Sequence, residues 1–394
     1  MKTDSIAKRR SDRTWMTAES CKLDDFVKLI ARETSLSDYP LASAVQSDVL
    51  VYEGDAVRKA AGDPDHRKAI TAEWAEAIYS GPGILVFKNA FPDKTILDAA
   101  TAQFNAMIKE QHEAHTGGGD HFAKPGANDR IWNALEKLCL RDPELFARYY
   151  SNEIIALISE SWLGTGYQIT SQLNVVNPGG EAQSVHRDYH MGFQTAAEIE
   201  RFPLHAHQLS PVLTLQGAIA HCDMPVESGP TLYLPYSQNF VPGYFAWRNP
   251  EFKDYFNKNY IQLPLAKGDA VFLSPALFHA AGHNRTKDIK RMANLLQISS
   301  AYGRAMESMD RAAMSAILYP TLRKMKLSPG EISNAIAACA EGYAFPTNLD
   351  RDPPIGGLAP QTQQQLMAKA LAESWETDVF TAALKKHSWR RLTS

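Results

Sequence analysis

His186 and Asp188 have the residue types and the spacing of a metal site. On an extended backbone, side chains two positions apart point to the same side, and an imidazole beside a carboxylate suits a divalent transition metal. An H-x-D pair alone is common by chance. This pair, however, follows a Pro-Gly-Gly turn, and further histidines follow a β-rich segment downstream. The pattern therefore predicts a metal site.

The third ligand is expected after the strand-like segment 269–275, which leads into LFHAAGHN at 277–284 with His279 and His283. Two histidines and one carboxylate fill one face of an octahedron and leave the other face open for a co-substrate and O2, as iron oxygenases require. The residues alone do not choose between these two histidines. His190, four residues after His186, is a further competitor for the metal or for the pocket wall.

The elements that would position these residues are mostly β-strands. Apolar, β-branched runs separated by Gly, Pro, Asn and Asp predict strands, and strands without regular intervening helices favour an antiparallel barrel or sandwich over a parallel α/β sheet. We therefore predict a mainly β core with α-helices before and after it. The runs are 81–91, 167–176, 212–221, 231–235, 269–275 and 293–299.

Helix signals flank this core. Asp93 and Asp142 are N-cap residues, and Ser328 with Glu331 forms a capping box. A last amphipathic helix is predicted from about 362 to 384. The apolar stripes of the C-terminal helices must be covered either by the core or by a second copy in a homodimer, and the sequence leaves this choice open. The predicted divisions are an N-terminal tail and helical extension (1–75), a catalytic domain (76–303) and a C-terminal helical extension packed on the core (304–394).

Charge and composition exclude several classes of partner. Lys+Arg number 41 against 44 Asp+Glu, so the chain has no basic excess for nucleic acid or an anionic membrane surface. No run approaches the roughly 20 apolar residues that span a bilayer. The four cysteines contain no C-x-x-C pair, which fits a reducing compartment. We expect a cytoplasmic protein that acts on a small molecule.

Four segments, taken in order, resemble the phytanoyl-CoA dioxygenase family of 2-oxoglutarate oxygenases. Together they cover roughly residues 80–302, and the first 75 or so and the last 90 residues show no match. The segments are GPGILVFKNAFP (81–92), NPGGEAQSVHRD (177–188), ESGPTLYLPYSQN (227–239) and KGDAVFLSPALFHAAGHNRT (267–286).

The resemblance implies a double-stranded β-helix (jelly-roll) fold with iron(II) held by His186, Asp188 and His279. It favours His279 over His283 because the family's spacing from the Gly-Asp strand to the distal histidine fits the former. It also implies 2-oxoglutarate and O2 as co-substrates, with ascorbate as the reductant in vitro.

Binding of 2-oxoglutarate requires a cation for its distal carboxylate, and Arg meets a carboxylate with two hydrogen bonds. The family's R-x-A pattern matches Arg291, with Lys290 and Arg285 as alternatives. Thr231 is predicted to assist with its hydroxyl. Gln172 and Asn174 alternate with apolar residues on one strand, so both are predicted to point into the barrel towards 2-oxoglutarate or the substrate.

The implied reaction is oxidative decarboxylation of 2-oxoglutarate to succinate and CO2, coupled to hydroxylation or desaturation of an unactivated C–H bond. Related halogenases lack the carboxylate ligand, so the presence of Asp188 favours these two reactions over halogenation. A zinc hydrolase, a cupin-type metal isomerase and an inactive relative are the alternatives. The sequence does not identify the substrate.

The segment 115–132 is rich in glycine and charge and is predicted to be a loop. It is either a lid that contacts substrate or a charged surface loop. Its candidate contact residues are Asp120, His121, Lys124, Asn128 and Arg130.

Overall fold

The predicted β-rich runs form strands of two sheets in the computed structural model, which describes residues 10–11, 13–116 and 126–393. The large sheet has eight strands in the order β1-β2-β3-β9-β6-β11-β5-β4, and the small sheet has the order β10-β7-β8. In chain order the strands are β1 (Ala44–Gln46), β2 (Val49–Glu53), β3 (Ile84–Lys88), β4 (Asn128–Ile131), β5 (Gln168–Val176), β6 (Thr214–Ala220), β7 (Leu232–Leu234), β8 (Ile261–Gln262), β9 (Ala270–Leu273), β10 (Phe278–Ala280) and β11 (Arg291–Ser299).

The chain divides into two compact units, and each unit is built from three separate segments of the sequence. Residues 1–90, 118–129 and 174–293 belong to the first unit, and residues 91–117, 130–173 and 294–394 belong to the second. The chain leaves one unit for the other inside β4, β5 and β11. The domain boundaries predicted near residues 75 and 303 were drawn from sequence patterns alone. They remain a prediction.

The core of the first unit lies between the two sheets. Val51, Val86 and Val271 of the large sheet form one buried cluster with Tyr233 of β7 and with Leu263, which follows β8. Pairing is antiparallel throughout β3, β9 and β6 but parallel between β2 and β3. Sheets packed face to face, with helices before and after them in the chain, confirm the predicted jelly-roll fold.

Helices cover the other side of β3 in the first unit. Side chains alternate along a strand, so Phe87 points away from Val86 and packs on Trp74 of α3, with ring centroids 5.0 Å apart. Asp63 caps this helix by accepting hydrogen bonds from the backbone N–H groups of Asp65 and His66. The helices of this unit are α1 (Leu23–Ile30), α2 (Gly54–Ala61), α3 (Pro64–Tyr79), α8 (Ala196–Ile199), α9 (Leu204–Leu209), α10 (Gly243–Ala246) and α11 (Pro250–Asn259).

The second unit is mostly helical. Asp93 and Asp142 cap their helices as predicted, and so does Ser328. The predicted last helix is broken in two by residues 373–376. Asn152 starts a further helix after Tyr150. The helices are α4 (Lys94–Glu113), α5 (Ala134–Arg141), α6 (Pro143–Tyr150), α7 (Glu153–Leu163), α12 (Arg311–Leu322), α13 (Pro329–Cys339), α14 (Gln363–Ala372) and α15 (Thr377–Arg390).

Part of the segment predicted as a loop at 115–132 is the strand β4. Its neighbour in the large sheet is β5, and the N–H of Asn177, just after β5, donates to the carbonyl of Ala127 at 3.0 Å. Asp120, His121 and Lys124 lie outside the described residues. In the part of the chain that the structure describes, no helix combines the length and the apolar character needed to cross a bilayer.

Candidate metal centre

Three predicted ligands converge in the first unit. His186, Asp188 and His279 each place one ligand atom so that all three atoms lie within 4.8 Å of one another. His279 lies on β10, and the backbone N–H and C=O groups of His186 and His279 exchange two hydrogen bonds, at 3.0 and 3.2 Å. The N–H of Asp188 donates to the carbonyl of Pro275 at 2.9 Å. Backbone pairing therefore sets the spacing of all three side chains.

The backbone also determines which nitrogen each imidazole presents. Nδ1 of His186 lies 2.9 Å from the carbonyl oxygen of Ser184, and Nδ1 of His279 lies 2.8 Å from that of Leu277. A carbonyl only accepts, so each Nδ1 carries the proton and donates it. Metal-binding histidines commonly donate one ring N–H to such a partner and bind the metal through the other nitrogen, so each Nε2 is the candidate ligand atom.

Asp188 is held in its ionised form. Burial acts to raise its pKa, but His186, His279 and the side chain of Gln216 together hold the pKa of this carboxyl well below its usual range. Its Oδ1 lies 3.9 Å from Nε2 of His186, and its Oδ2 lies 3.5 Å from Nε2 of His279. Two imidazole nitrogens and one carboxylate oxygen therefore lie within 4.8 Å of one another.

The competing histidines lie elsewhere. Among the described residues, the cluster that could hold a metal contains neither His283 nor His190. His190 has φ 22° and follows Tyr189 at φ 72°, so the chain turns sharply straight after the H-x-D pair. Positive φ at two consecutive residues with side chains is costly.

Arg187, between the candidate ligands His186 and Asp188, was missed as a site residue from the sequence. Its guanidinium is buried and donates to the carbonyls of Ser237 and Phe240. It also lies over the rings of Tyr244 and Phe278, at 5.3 and 5.2 Å from their centroids. Burial lowers the pKa of this guanidinium to about 10. Arg187 thus ties the H-x-D segment to the residues before α10 and to the strand that carries His279.

Room for this guanidinium depends on a glycine. A Cβ at Gly243 would lie 1.9 Å from Cζ of Arg187, so any larger residue there would displace the side chain. No local pattern in the sequence announces this contact, because Arg187 and its partners are about fifty residues apart.

Arg291 is the buried member of the three candidate cations, since Lys290 and Arg285 are exposed. It is 7% exposed, and its Nη1 has no hydrogen-bond partner among the described residues. Burial lowers its pKa to about 10, while Tyr233 beside it acts in the opposite direction. A buried cation without a carboxylate is costly, so the site is suited to an anionic ligand.

Thr231 is linked to Arg291 through Tyr233, which interacts with both. Its hydroxyl hydrogen-bonds to Tyr233, whose pKa burial raises to about 12. Tyr233 pairs directly with His279 across β7 and β10. The cluster of Arg291, Tyr233 and Thr231 therefore adjoins the strand that carries the distal histidine.

Gln172 and Asn174 differ in their surroundings. Gln172 belongs to the second unit, where its Nε2 lies 3.6 Å from Sδ of Met306. Asn174 belongs to the first unit, and its Oδ1 is buried without a partner among the described residues.

A jelly-roll with a two-histidine, one-carboxylate cluster defines a class of metal-dependent enzymes. The family model for phytanoyl-CoA dioxygenase (PhyH) matches residues 60–292. The chain belongs to this family, which confirms the resemblance inferred from the four segments. The protein is accordingly a non-haem iron enzyme that depends on 2-oxoglutarate, and its cofactors are iron and 2-oxoglutarate.

Solved structures show more distant similarity. The α-ketoglutarate-dependent epimerase SnoN from nogalamycin biosynthesis is 18% identical with a TM-score of 0.42, over 61% of this chain and 82% of its own. The carbocyclase SnoK from the same biosynthesis is 20% identical with a TM-score of 0.41, over 65% of this chain and 90% of its own. At these scores the similarity does not define the reaction of this chain. No curated protein sequence matches it significantly.

Proposed function

We propose that this protein hydroxylates an unactivated C–H bond of a small organic substrate, with His186, Asp188 and His279 as the iron ligands and Arg291 as the anchor for 2-oxoglutarate. The observation that carries the proposal is the convergence of two imidazole nitrogens and one carboxylate oxygen, which lie within 4.8 Å of one another. Both imidazoles are already oriented by backbone carbonyls.

The donor set fits iron(II). Imidazole nitrogen suits first-row transition metals, and two histidines with one carboxylate leave positions for a chelating co-substrate. When bound, iron(II) with 2-oxoglutarate supplies an oxidation in which one oxygen atom of O2 enters succinate and the other enters the substrate. The role of the three side chains is to hold the metal on one face. Asp188, kept ionised, contributes the negative charge.

Arg291 fits the distal carboxylate of 2-oxoglutarate. Its Nη1 is buried and without a protein partner among the described residues, whereas Lys290 beside it is exposed to water. A charge-assisted pair between this guanidinium and a carboxylate would satisfy both groups. We assign Thr231 and Tyr233 to the same subsite because their hydroxyls are hydrogen-bonded beside Arg291. Asn174 remains a candidate contact for 2-oxoglutarate or substrate through its buried Oδ1, and Gln172 remains a weaker one.

Hydroxylation is favoured over halogenation because the carboxylate ligand is present as Asp188. Desaturation needs the same ligands and is distinguished only by the product. A zinc hydrolase or a cupin-type isomerase would use the same three side chains but would need no buried cation. Arg291 is therefore the residue that favours the oxygenase over these alternatives.

The test begins with protein dialysed against EDTA and then supplied with iron(II) or zinc(II), 2-oxoglutarate and ascorbate. We expect succinate release with iron(II) but not with zinc(II). The activity should be lost in Asp188→Ala and His279→Ala and retained in His283→Ala. Succinate release that is lost in His283→Ala but kept in His279→Ala would overturn the ligand assignment. Hydrolysis supported by zinc(II) without release of succinate would overturn the assignment as an oxygenase.

The substrate is sought by mass spectrometry of cell extract incubated with the iron-loaded enzyme and 2-oxoglutarate. Hydroxylation adds one oxygen atom to a component of the extract, whereas desaturation removes two hydrogens. The same extract incubated with Asp188→Ala is the matched control.

A further inference from the structure

Gln216 makes a direct contact with the cluster of candidate metal ligands. It lies on β6, is 6% exposed, and its Nε2 donates to Oδ2 of Asp188 at 2.6 Å. Its Oε1 is buried and has no hydrogen-bond partner in the described ranges. Among the described residues, one end of the amide is therefore hydrogen-bonded and the other is not.

The chemistry of Asp188 determines which way this amide points. An ionised carboxylate only accepts hydrogen bonds, so the NH2 end of Gln216 must face it. A flipped amide would set two acceptor oxygens against each other. Because hydrogen bonds to charged acceptors are stronger than neutral ones, the contact with Asp188 prevails although it leaves Oε1 unpaired.

The backbone of Gln216 has little freedom to move. Gln216 pairs with Leu273 of β9, in a strand flanked in the large sheet by β9 and β11. The next residue, Gly217, leaves no room for a Cβ, which would lie 2.5 Å from the ring of Phe272. The amide is therefore presented to Asp188 from a position that neighbouring strands fix on both sides.

We propose that Gln216 is a positioning residue that confines Asp188 to a single metal bond. By holding Oδ2, it leaves Oδ1 as the oxygen available to the metal, on the side 3.9 Å from Nε2 of His186. Carboxylates can bind metals through one or both oxygens. A second bond from Asp188 would take up a coordination position that the co-substrates need. This role rests on the proposed iron site.

The test measures the metal site directly, without relying on turnover. Mn(II) affinity is measured by titration with electron paramagnetic resonance. Coordination is followed through the visible absorption of the Co(II)-substituted protein, with and without 2-oxoglutarate. Gln216→Met keeps the side-chain length but neither donates nor accepts like an amide, and Gln216→Glu keeps the shape but removes the donor.

Loss of a group that orients a metal ligand typically costs 10–100-fold in metal affinity or activity. We therefore expect the Mn(II) Kd to rise by about 10-fold or more in Gln216→Met. The Co(II) spectrum should change in both variants. Unchanged affinity and spectrum in a folded Gln216→Met protein would overturn the proposal.

Gln238→Met is the matched control. Gln238 is also in the first unit, its Nε2 also donates, and its Oε1 is also buried without a partner among the described residues. Its acceptors, however, are the backbone carbonyls of Ile78 and Gly81. We expect Gln238→Met to lower the unfolding temperature without changing the Co(II) spectrum. An equal spectral change in both methionine variants would reduce the role of Gln216 to general packing and overturn the proposal.

Asp188→Ala separates the failure of this role from the failure of the iron site. If Asp188→Ala binds Mn(II) as the unaltered protein does, the metal site itself is wrongly assigned. If Asp188→Ala loses the metal while Gln216→Met behaves normally, only the role of Gln216 is wrong.

Discussion

The helix α1 near the N-terminus and the helices α12–α15 near the C-terminus both lie outside the residues that match the family, 60–292. They differ in the compact unit to which they belong. The first belongs to the unit that contains the metal cluster, and the others belong to the second unit. Both extensions lie outside the family match, so the match alone does not indicate which of them belongs to the unit with the metal cluster.

The helix α1 packs against the residue that precedes the candidate metal ligand His279. Phe26 is fully buried and stacks on Phe278 at 5.2 Å, and Phe278 directly precedes His279. Phe240 and Phe252 also contact Phe26, each at 5.2 Å. After the helix, the hydroxyls of Thr34 and Tyr236 lie 2.7 Å apart. The N-terminal extension therefore packs against β10 and helps to fix the position of this strand.

The C-terminal helices pack within the helical unit. Tyr319 stacks on Phe380 at 4.0 Å, and its hydroxyl donates to the carbonyl of Trp375 at 2.7 Å. Arg311 is buried and donates to the carbonyls of Ala338, Cys339 and Ile169. These contacts stabilise the second unit and involve none of the predicted metal ligands.

The largest effect is expected from truncation after Gly303, which removes α12–α15. Burying one large apolar side chain is worth roughly 1.5–3 kcal/mol, and a domain is stable by only about 5–15 kcal/mol. Met314, Leu318, Phe380 and Leu384 are all buried in these helices, so their loss should give insoluble protein, measured by sedimentation of the expressed fragment. A soluble fragment that still releases succinate would show that the C-terminal helices are a separate module.

A matched pair of phenylalanines tests the comparison itself. Phe26 and Phe380 are both fully buried, so Phe26→Ala and Phe380→Ala should each cost about 3–5 kcal/mol of unfolding free energy. Only Phe26→Ala should also weaken Mn(II) binding, by about 10-fold, because it loosens the strand that carries a ligand. Denaturant unfolding and Mn(II) titration measure the two quantities. Equal metal affinity in the two folded variants would remove the distinction drawn here.

Arg291→Ala should change co-substrate binding and leave folding nearly intact. Losing a buried charge-assisted pair typically costs about 2–5 kcal/mol, so the KM for 2-oxoglutarate should rise by a factor of about 30 or more. Lys290→Ala, at the exposed neighbour, is the control and should leave this KM unchanged. The reverse outcome would transfer the role to Lys290.

The smallest effect is expected for the cap of α13. Ser328 accepts a hydrogen bond from the N–H of Glu331, and Glu331 accepts one from the N–H of Ser328. Ser328→Ala should cost about 1 kcal/mol of unfolding free energy and leave Mn(II) affinity unaltered. A change in metal affinity would mean that the C-terminal helices act on the metal site after all.

Patterns with local causes were predictable from the sequence. Apolar, β-branched runs located β5, β9 and β11, and Asp, Ser and Pro located helix starts such as Pro143 and Pro329. The two-residue spacing in H-x-D pointed to residues that the structure brings together with His279. As metal ligands, these three residues stay a prediction.

Features that depend on distant partners were not predictable. β1 and β10 are only three residues long, too short for periodicity to show. Gln216 and Arg187 owe their roles to partners that are remote in sequence. A single glutamine inside the apolar run 212–221 was the one visible signal for Gln216, because a polar side chain in a buried strand needs a partner.

The double hydrogen bond between the backbones of His186 and His279 has a consequence for how the protein acquires its metal. Because this backbone pairing needs no metal, we expect it to hold the two candidate ligands in register before any metal binds. We therefore expect metal uptake to require no rearrangement of the chain. Its rate should scale with metal concentration, and the far-ultraviolet circular dichroism should be the same before and after loading.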